Sequence, residues 1–339
     1  MCKCRLKQDA GCDRSLLCVS FYTTEDKQKP CPILDAYLFP APLPYRSQTK
    51  MPLSPADSLR KLLDRPSLLS MPGCHDAISA KLCEQAGFET AFMSGFAVSA
   101  SRLGLPDTGL ISYAELLNQG QNICEAVSIP IWGDGDTGFG NAINIKRTVK
   151  GYAKAGFACI MLEDQIAPKR CGHTKGKSIV SRDEAAMRIQ AAVDARNEGA
   201  DILIMARTDA RATDSLEEAI TRCQMFHEIG ADINFLEAPE SIEEMQQYCS
   251  QVDGYKVANL IEHGKTPLLH HDQLEAMGYK IAVYPLTLLN VSIQAMQQSL
   301  VALKNGEKTS VMDFNDLTKA VGFPEYYDEE EQYRQPRQK

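Results

Sequence analysis

From residue 68 onward the chain repeats one unit: a short apolar, β-prone run, then a longer stretch with helical period. The runs occupy 68–71, 90–93, 129–132, 159–162, 202–205, 233–236, 256–258 and 280–284. Helices are expected over 77–86, 113–126, 143–155, 183–197, 216–229, 242–250, 272–277 and 288–303. In the second of these, Leu116, Leu117, Ile123 and the following Val127 share one face, the spacing of an amphipathic helix. Glycines mark several helix ends (Gly87, Gly156, Gly199, Gly230, Gly278), and Asp76, Ser112, Ser181, Ser215 and Ser241 stand where N-caps are needed. Ser181 with Glu184, and Ser215 with Glu218, read as capping boxes.

Such an alternation leaves two architectures, a closed (β/α)8 barrel or an open doubly wound sheet. The span 68–304 is close to the ~250 residues of a typical barrel. No Gly-x-Gly-x-x-Gly follows the first run, so the dinucleotide-binding signature of the open sheet is missing. The expected fold is therefore α/β, a (β/α)8 TIM barrel.

The beginning of the chain has a different character. Residues 1–70 hold 8 of the 17 prolines and carry 11 basic against 7 acidic residues, whereas the whole chain has a net charge of −8. Residues 1–60 are expected to form a largely unstructured extension, 61–330 the barrel domain and 331–339 a tail. Cys2, Cys4, Cys12 and Cys18 lack the paired spacing of zinc sites, and no histidine accompanies them, so they are read as thiols rather than a metal cluster. No secretory h-region is present, and Asp9, Asp13, Glu25, Asp26 and Asp35 are unusual for a transit peptide. A cytoplasmic location is expected, with an organelle address left open. The absence of a basic block argues against nucleic-acid binding, and the absence of any apolar run of about 18 residues against a membrane span.

A barrel carries its active site at the C-terminal ends of its strands. The residues just beyond the apolar runs are polar and charged: Ser94-Gly95, Asp134 and Asp136, Glu163, Arg207, Glu237 and Asn259. Asp134, Asp136 and Glu163 make an oxygen-only donor set without histidine, which suits Mg²⁺ or Mn²⁺. The long connection 165–180 is polar, glycine-containing and basic, and is either a solvated surface segment or a lid. In it Cys171 is surrounded by Lys169, Arg170, His173, Lys175 and Lys177. Positive neighbours favour a thiolate, making Cys171 a candidate proton donor or acceptor near neutral pH.

These motifs resemble the isocitrate lyase and phosphoenolpyruvate mutase superfamily from about residue 71 to 327. The resemblance rests on Pro72-Gly73, Ser94-Gly95, Pro106-Asp107, the segment from Asp134 to Gly140, Glu163-Asp164-Gln165, Lys169-Arg170-Cys171-Gly172-His173, the segment from Ala206 to Ala210, and Gly264-Lys265-Thr266-Pro267. The Lys-Arg-Cys-Gly-His run resembles the carbon–carbon lyase branch. The overall texture is similar to the eukaryotic group labelled carboxyvinyl-carboxyphosphonate phosphorylmutase and to petal-death-type, dimethylmalate-lyase-like and methylisocitrate-lyase enzymes.

The resemblance implies a Mg²⁺-dependent lyase for a small 2-hydroxy- or 2-oxo-dicarboxylate, such as a 2-alkylmalate, a methylisocitrate-like acid or oxaloacetate. It places the metal on Asp134, Asp136 and Glu163, with Asp107 supporting that network. It assigns the substrate carboxylate to the Ser94-Gly95 backbone and Arg207, and the leaving half to Asn259 and Glu237. Cys171 becomes the general acid, with His173 beside it, and Lys169, Gly172, Thr266 and Pro267 join the substrate contacts. It also implies a homo-oligomer, a dimer or tetramer, that exchanges its last barrel helix between subunits; 286–303 fits that or a helix within one barrel. One departure stands out: Phe92 occupies the place of a tyrosine that handles the substrate hydroxyl in isocitrate and methylisocitrate lyases, and Phe96 replaces a small residue. Phosphonate P–C chemistry and a non-catalytic metabolite-binding barrel are the alternatives.

Overall fold

The protein, as a computed structural model, is described over residues 53–173 and 176–334. Eight parallel strands close in sequence order: β1 (Leu69–Cys74), β2 (Ala91–Met93), β3 (Ile131–Asp134), β4 (Cys159–Glu163), β5 (Leu203–Thr208), β6 (Ile233–Leu236), β7 (Tyr255–Asn259) and β8 (Ile281–Tyr284). β1 pairs with β8, Leu69 opposite Ile281 and Met71 opposite Val283, so the sheet has no open edge. This is the expected (β/α)8 barrel and excludes the doubly wound sheet.

The helices are α1 (Pro55–Leu63), α2 (Ala77–Gln85), α3 (Gly95–Val98), α4 (Tyr113–Ala126), α5 (Ala142–Lys154), α6 (Arg182–Asn197), α7 (Ala210–Thr213), α8 (Leu216–Ile229), α9 (Ile242–Gln251), α10 (His271–Met277), α11 (Thr287–Lys304), α12 (Phe314–Ala320) and α13 (Phe323–Gln332). A π-helical turn, Ser99–Leu103, continues α3. Each of the eight anticipated helices is present. Several strands run past their apolar stretch: β3 ends on Gly133-Asp134 and β4 on Glu163, because ladder pairing continues into the polar rim after hydrophobicity has ended.

α1 was not anticipated. Ser54 caps it by accepting from Asp57 N, a proline opens it, and Ala56, Leu59, Leu62 and Leu63 are buried. They share one apolar cluster with inward side chains of the strands, among them Met71, Trp132, Met161 and Met205. The expected domain boundary at 61 therefore falls inside a packed helix. The reading of the first 52 residues as an extension, with its thiols, lies outside the described residues. At the other end α13 reaches Gln332, and 335–339 lie outside the description.

Within the barrel the Trp132 ring is fully enclosed, and its Nε1–H donates to Thr90 Oγ1 at 2.8 Å. Thr90 in turn donates to Pro130 O at 2.7 Å, so neither polar group is stranded in the core. The capping expectations hold in part. Ser181 and Ser215 accept from the Glu184 and Glu218 amides, but the reciprocal arms of the capping boxes do not form. Glu184 pairs with Arg188, and Glu218 with Arg182 and Arg222, since charge-assisted bonds outcompete a bond to a cap amide. Among the described residues no helix is long and apolar enough to cross a membrane.

Candidate active site

The polar rim opens onto a cavity. Asp134 from β3, Arg207 from β5, Asn259 from β7, and Glu237 just past β6 line it, together with Ser94 and Asp107. The connection after β4 lies over them and adds Lys169, Cys171, Gly172 and His173. Phe92, Met161 and Phe235 form part of the apolar floor.

On one side stands a nest of carboxylates. Asp134 is held in place by three bonds: its Oδ2 accepts from Gly95 N (3.1 Å), its Oδ1 from Asp136 N (3.0 Å), and its carbonyl from Tyr152 OH (2.7 Å). A Cβ at residue 95 would lie 2.5 Å from Asp134 Oδ2, so only glycine allows this approach. The Gly95 amide, expected to face a substrate carboxylate, is thus engaged with Asp134 instead, and Ser94 Oγ caps α3.

Lys169 enters the nest from above. Its Nζ is 2.7 Å from Asp107 Oδ1 and 2.8 Å from Asp136 Oδ1, with the side chain almost entirely buried. Burial opposes its charge, but Asp136, Asp134, Glu163 and Asp107 overcome that and hold its pKa well above the ordinary lysine value. Burial pushes Asp136 up to about 7 against the pull of Lys169, and raises Glu163 well above its usual range against Arg207 and Lys169. The nest is short of positive charge.

Asp134 and Asp136 were expected to straddle a cation. Among the described residues no three acidic, histidine or cysteine side chains converge on a single metal position; the nest is instead closed around the lysine ammonium. Its composition nevertheless fits a hard divalent cation. The donors are buried oxygens only, their charge is incompletely balanced, and Glu163 Oε1 has no hydrogen-bond partner.

The other side of the cavity is built on Arg207. Asp209 grips it through two bonds, Nε to Oδ2 (3.0 Å) and Nη2 to Oδ1 (3.1 Å), while Glu163 and Glu237 each lie at 3.4 Å. Glu237 receives Asn259 Nδ2 at 3.2 Å and lies 2.8 Å from His173 Nε2. Burial would raise the Glu237 pKa, but Arg207, His173 and Lys177 outweigh it and hold the carboxyl at about 2. His173 Nδ1 accepts from the Lys265 amide (3.2 Å), so a neutral ring carries its proton on Nε2, facing Glu237. His173 therefore ties the loop to the barrel at two points.

Cys171 lies beside Gly172, whose backbone sits against the Arg207 and Glu237 side chains. The expected thiolate is not what this setting favours. Burial raises the Cys171 pKa, and the His173 amide only partly offsets it. The lysines on either side act elsewhere: Lys169 on Asp107 and Asp136, Lys177 on Asp209. The thiol therefore retains its proton, as an acid requires.

Of the anticipated residues, Gly95, Asp136 and Glu163 stand behind the cavity wall rather than in it. Thr266 and Pro267 also lie off the wall, while the neighbouring Lys265 amide reaches His173 of the loop. Three contributors were noted in the sequence without being given a role in the site. Asp209 clamps Arg207, and its position two residues after an arginine at a strand end was the available signal. Gln165 clasps the loop, accepting from Arg170 N (2.8 Å) and donating to Arg170 O (2.9 Å). Lys177 reaches Asp209 across 32 positions of chain, and nothing local announces that contact.

The phosphoenolpyruvate phosphomutase family model matches residues 59–304. A 2,3-dimethylmalate lyase from Eubacterium barkeri is 46% identical over 273 residues, covering 78% of this chain and 94% of the relative. A structure of oxaloacetate acetylhydrolase with the inhibitor 3,3-difluorooxalacetate superposes with a TM-score of 0.80 at 33% identity, covering 83% of this chain and 97% of that one. A phosphonopyruvate hydrolase complexed with oxalate and Mg²⁺ superposes at 0.74 with 27% identity, covering 83% and 99%.

Proposed function

Because the chain belongs to the phosphoenolpyruvate mutase/isocitrate lyase superfamily, we propose that it cleaves a carbon–carbon bond in a small 2-hydroxy- or 2-oxo-dicarboxylate, with Mg²⁺ as the favoured cation. The observation that carries this reading is the placement of the Cys171 thiol in the same cavity as Arg207 and Asp134, where burial favours its protonated form. Similarity to a 2,3-dimethylmalate lyase and to an oxaloacetate acetylhydrolase supports a carbon–carbon bond as the target.

Asp134, Asp136 and Glu163, with Asp107 beside them, would hold the cation. Once bound, it would supply Lewis-acid stabilisation for negative charge developing on a substrate oxygen. Arg207, pre-set by Asp209, would pair with a substrate carboxylate, and Asn259 with Glu237 would orient the other half. As the bond breaks, the 2-hydroxyl (in oxaloacetate, one formed by adding a water molecule to the 2-oxo carbon) becomes a carbonyl or carboxyl group, its proton passes to a carboxylate of the acid nest, and the bonding electron pair goes to the departing enolate. Cys171 Sγ–H delivers a proton to the enolate carbon. Gly172 and His173 over the cavity keep out bulk water that would otherwise compete for the enolate. Phe92 has no hydroxyl with which to take the part that the resemblance gives to a tyrosine in isocitrate and methylisocitrate lyases, which disfavours those two acids as substrates.

We further propose that the working form is a homo-oligomer. Of α11, only Leu289 is buried, while Val291, Met296, Leu300 and Leu303 are exposed. A single barrel leaves that apolar face unpaired, and a second copy would cover it.

The test is a mass-spectrometric assay of purified protein with Mg²⁺ on 2,3-dimethylmalate, other 2-alkylmalates, methylisocitrate and oxaloacetate, with phosphonopyruvate followed by phosphorus NMR. Cleavage of a malate or of oxaloacetate, lost with EDTA, is expected. Turnover of phosphonopyruvate alone, or binding without any product, would replace this reading.

A further inference from the structure

Lys177 is a lysine with almost no exposure, 3% of its side chain, in a polar connection on the barrel rim. Burying an ammonium is costly unless it is fully engaged. Its Nζ is 3.0 Å from Asp209 Oδ1 and also donates to the carbonyl of Gly172. The Asp209 Oδ1 it uses is the oxygen that also accepts from Arg207 Nη2. Asp209 is itself rigid: it is fully buried, its amide donates to Asp164 Oδ1 (3.0 Å), and Asp164 is held by Thr208 and Arg222.

We propose that Lys177 is a positioning residue: it fastens the Gly172-His173 peptide, next to Cys171, to Asp209, so that the thiol is seated over the cavity by the same carboxylate that aims Arg207. This rests on the lyase reading for its purpose but not for its geometry. A Cβ on residue 172 would lie 2.4 Å from Arg207 Nη2, so the peptide has little room in which to be misplaced. When Lys177 is engaged, Asp209 bridges two cations, one on the barrel and one on the connection that carries the thiol. Closure and arginine orientation are then one event.

The experiment reads the thiol directly, without turnover. Full-length wild type, Lys177→Met and Lys177→Arg are treated with iodoacetamide, and the Cys171-containing peptide is quantified by mass spectrometry. Without its fastener the segment opens, and alkylation of Cys171 in Lys177→Met is expected to rise tenfold or more. Lys177→Arg, which keeps a cation and donors, is expected to stay within about threefold of wild type. The sign separates positioning from electrostatics, since deletion of a nearby positive charge lowers the thiolate fraction and slows alkylation. An unchanged or slower rate in Lys177→Met, or an arginine variant as reactive as the methionine one, overturns the proposal. Lys177→Gln gives the same comparison if the methionine variant does not fold, and failure of both to fold assigns Lys177 to stability and overturns it equally. None of these outcomes depends on which substrate is cleaved, so a failure of the lyase reading is seen separately in the assay above.

Discussion

The Lys169 ammonium stands 2.8 Å from the Asp136 carboxylate, inside a group of acids whose chemistry suits a divalent cation. A lysine and a metal therefore draw on the same negative charge. Replacing Lys169 by methionine removes the cation that balances the nest, at a cost of about 3–5 kcal/mol in metal-free protein. The melting midpoint in EDTA is expected to fall, and the upward shift on adding Mg²⁺ to exceed that of wild type. Equal Mg²⁺ shifts in the two proteins would contradict this arrangement.

Cys171 is expected to act only in its thiol form. Cys171→Ala should lower turnover by roughly 10²- to 10⁴-fold, the usual contribution of a placed general acid, with an unaltered melting curve. Burial raises the thiol pKa, so wild-type activity should decline with rising pH only above the ordinary value of roughly 8.5. A rate that climbs through that region would instead indicate a thiolate.

Gly172 has no space for a side chain, because an added Cβ meets Arg207 at 2.4 Å and Glu237 at 2.6 Å. Gly172→Ala is expected to reduce kcat/KM on the order of 100-fold while the barrel melts normally. Steady-state kinetics beside a thermal scan decide it; wild-type kinetics in the variant would mean that the segment can seat elsewhere.

Glu237 couples the site to acid stability. Its folded pKa of about 2 lies below the unfolded value, roughly 4.3. The stabilisation it provides is complete above the unfolded value and disappears as pH falls through the folded one. Chemical denaturation from pH 5 down to pH 2 should show this loss in wild type. In Glu237→Gln the loss should be smaller, starting from a protein already weakened by about 3–5 kcal/mol because Arg207 has lost a counter-ion. Parallel pH profiles for the two proteins would refute the assignment.

Much of the barrel was legible because its signals are local. Strand and helix periods and the caps Asp76, Ser112, Ser181, Ser215 and Ser241 all depend on residues within a turn of one another. Asp134, Glu163, Arg207, Glu237 and Asn259 could be placed at the rim for a topological reason: they fall at or beside strand ends, and barrel strands end at one rim. α1 escaped although Ala56, Leu59, Leu62 and Leu63 fall at helical spacing behind a Ser54 cap, because the prolines on either side led the extension to be read through to residue 60.

The thiol of Cys171 was misjudged because counting neighbouring cations ignores where they point. Lys169 and Lys177 extend to acids 62 and 32 positions away, and burial then dominates. Gly95 was assigned to substrate by the family resemblance, whereas its amide serves Asp134 across 39 positions. Long-range pairings of this kind leave no trace in local spacing.

The ring of Trp132, bonded to Thr90 and two residues before Asp134, is the only indole in the chain. Its ultraviolet emission consequently speaks for one place, the strand that carries the acid nest. A red-shifted spectrum would announce water entering the barrel at that spot. Unfolding and ligand titrations can thus be followed optically, without attaching a dye.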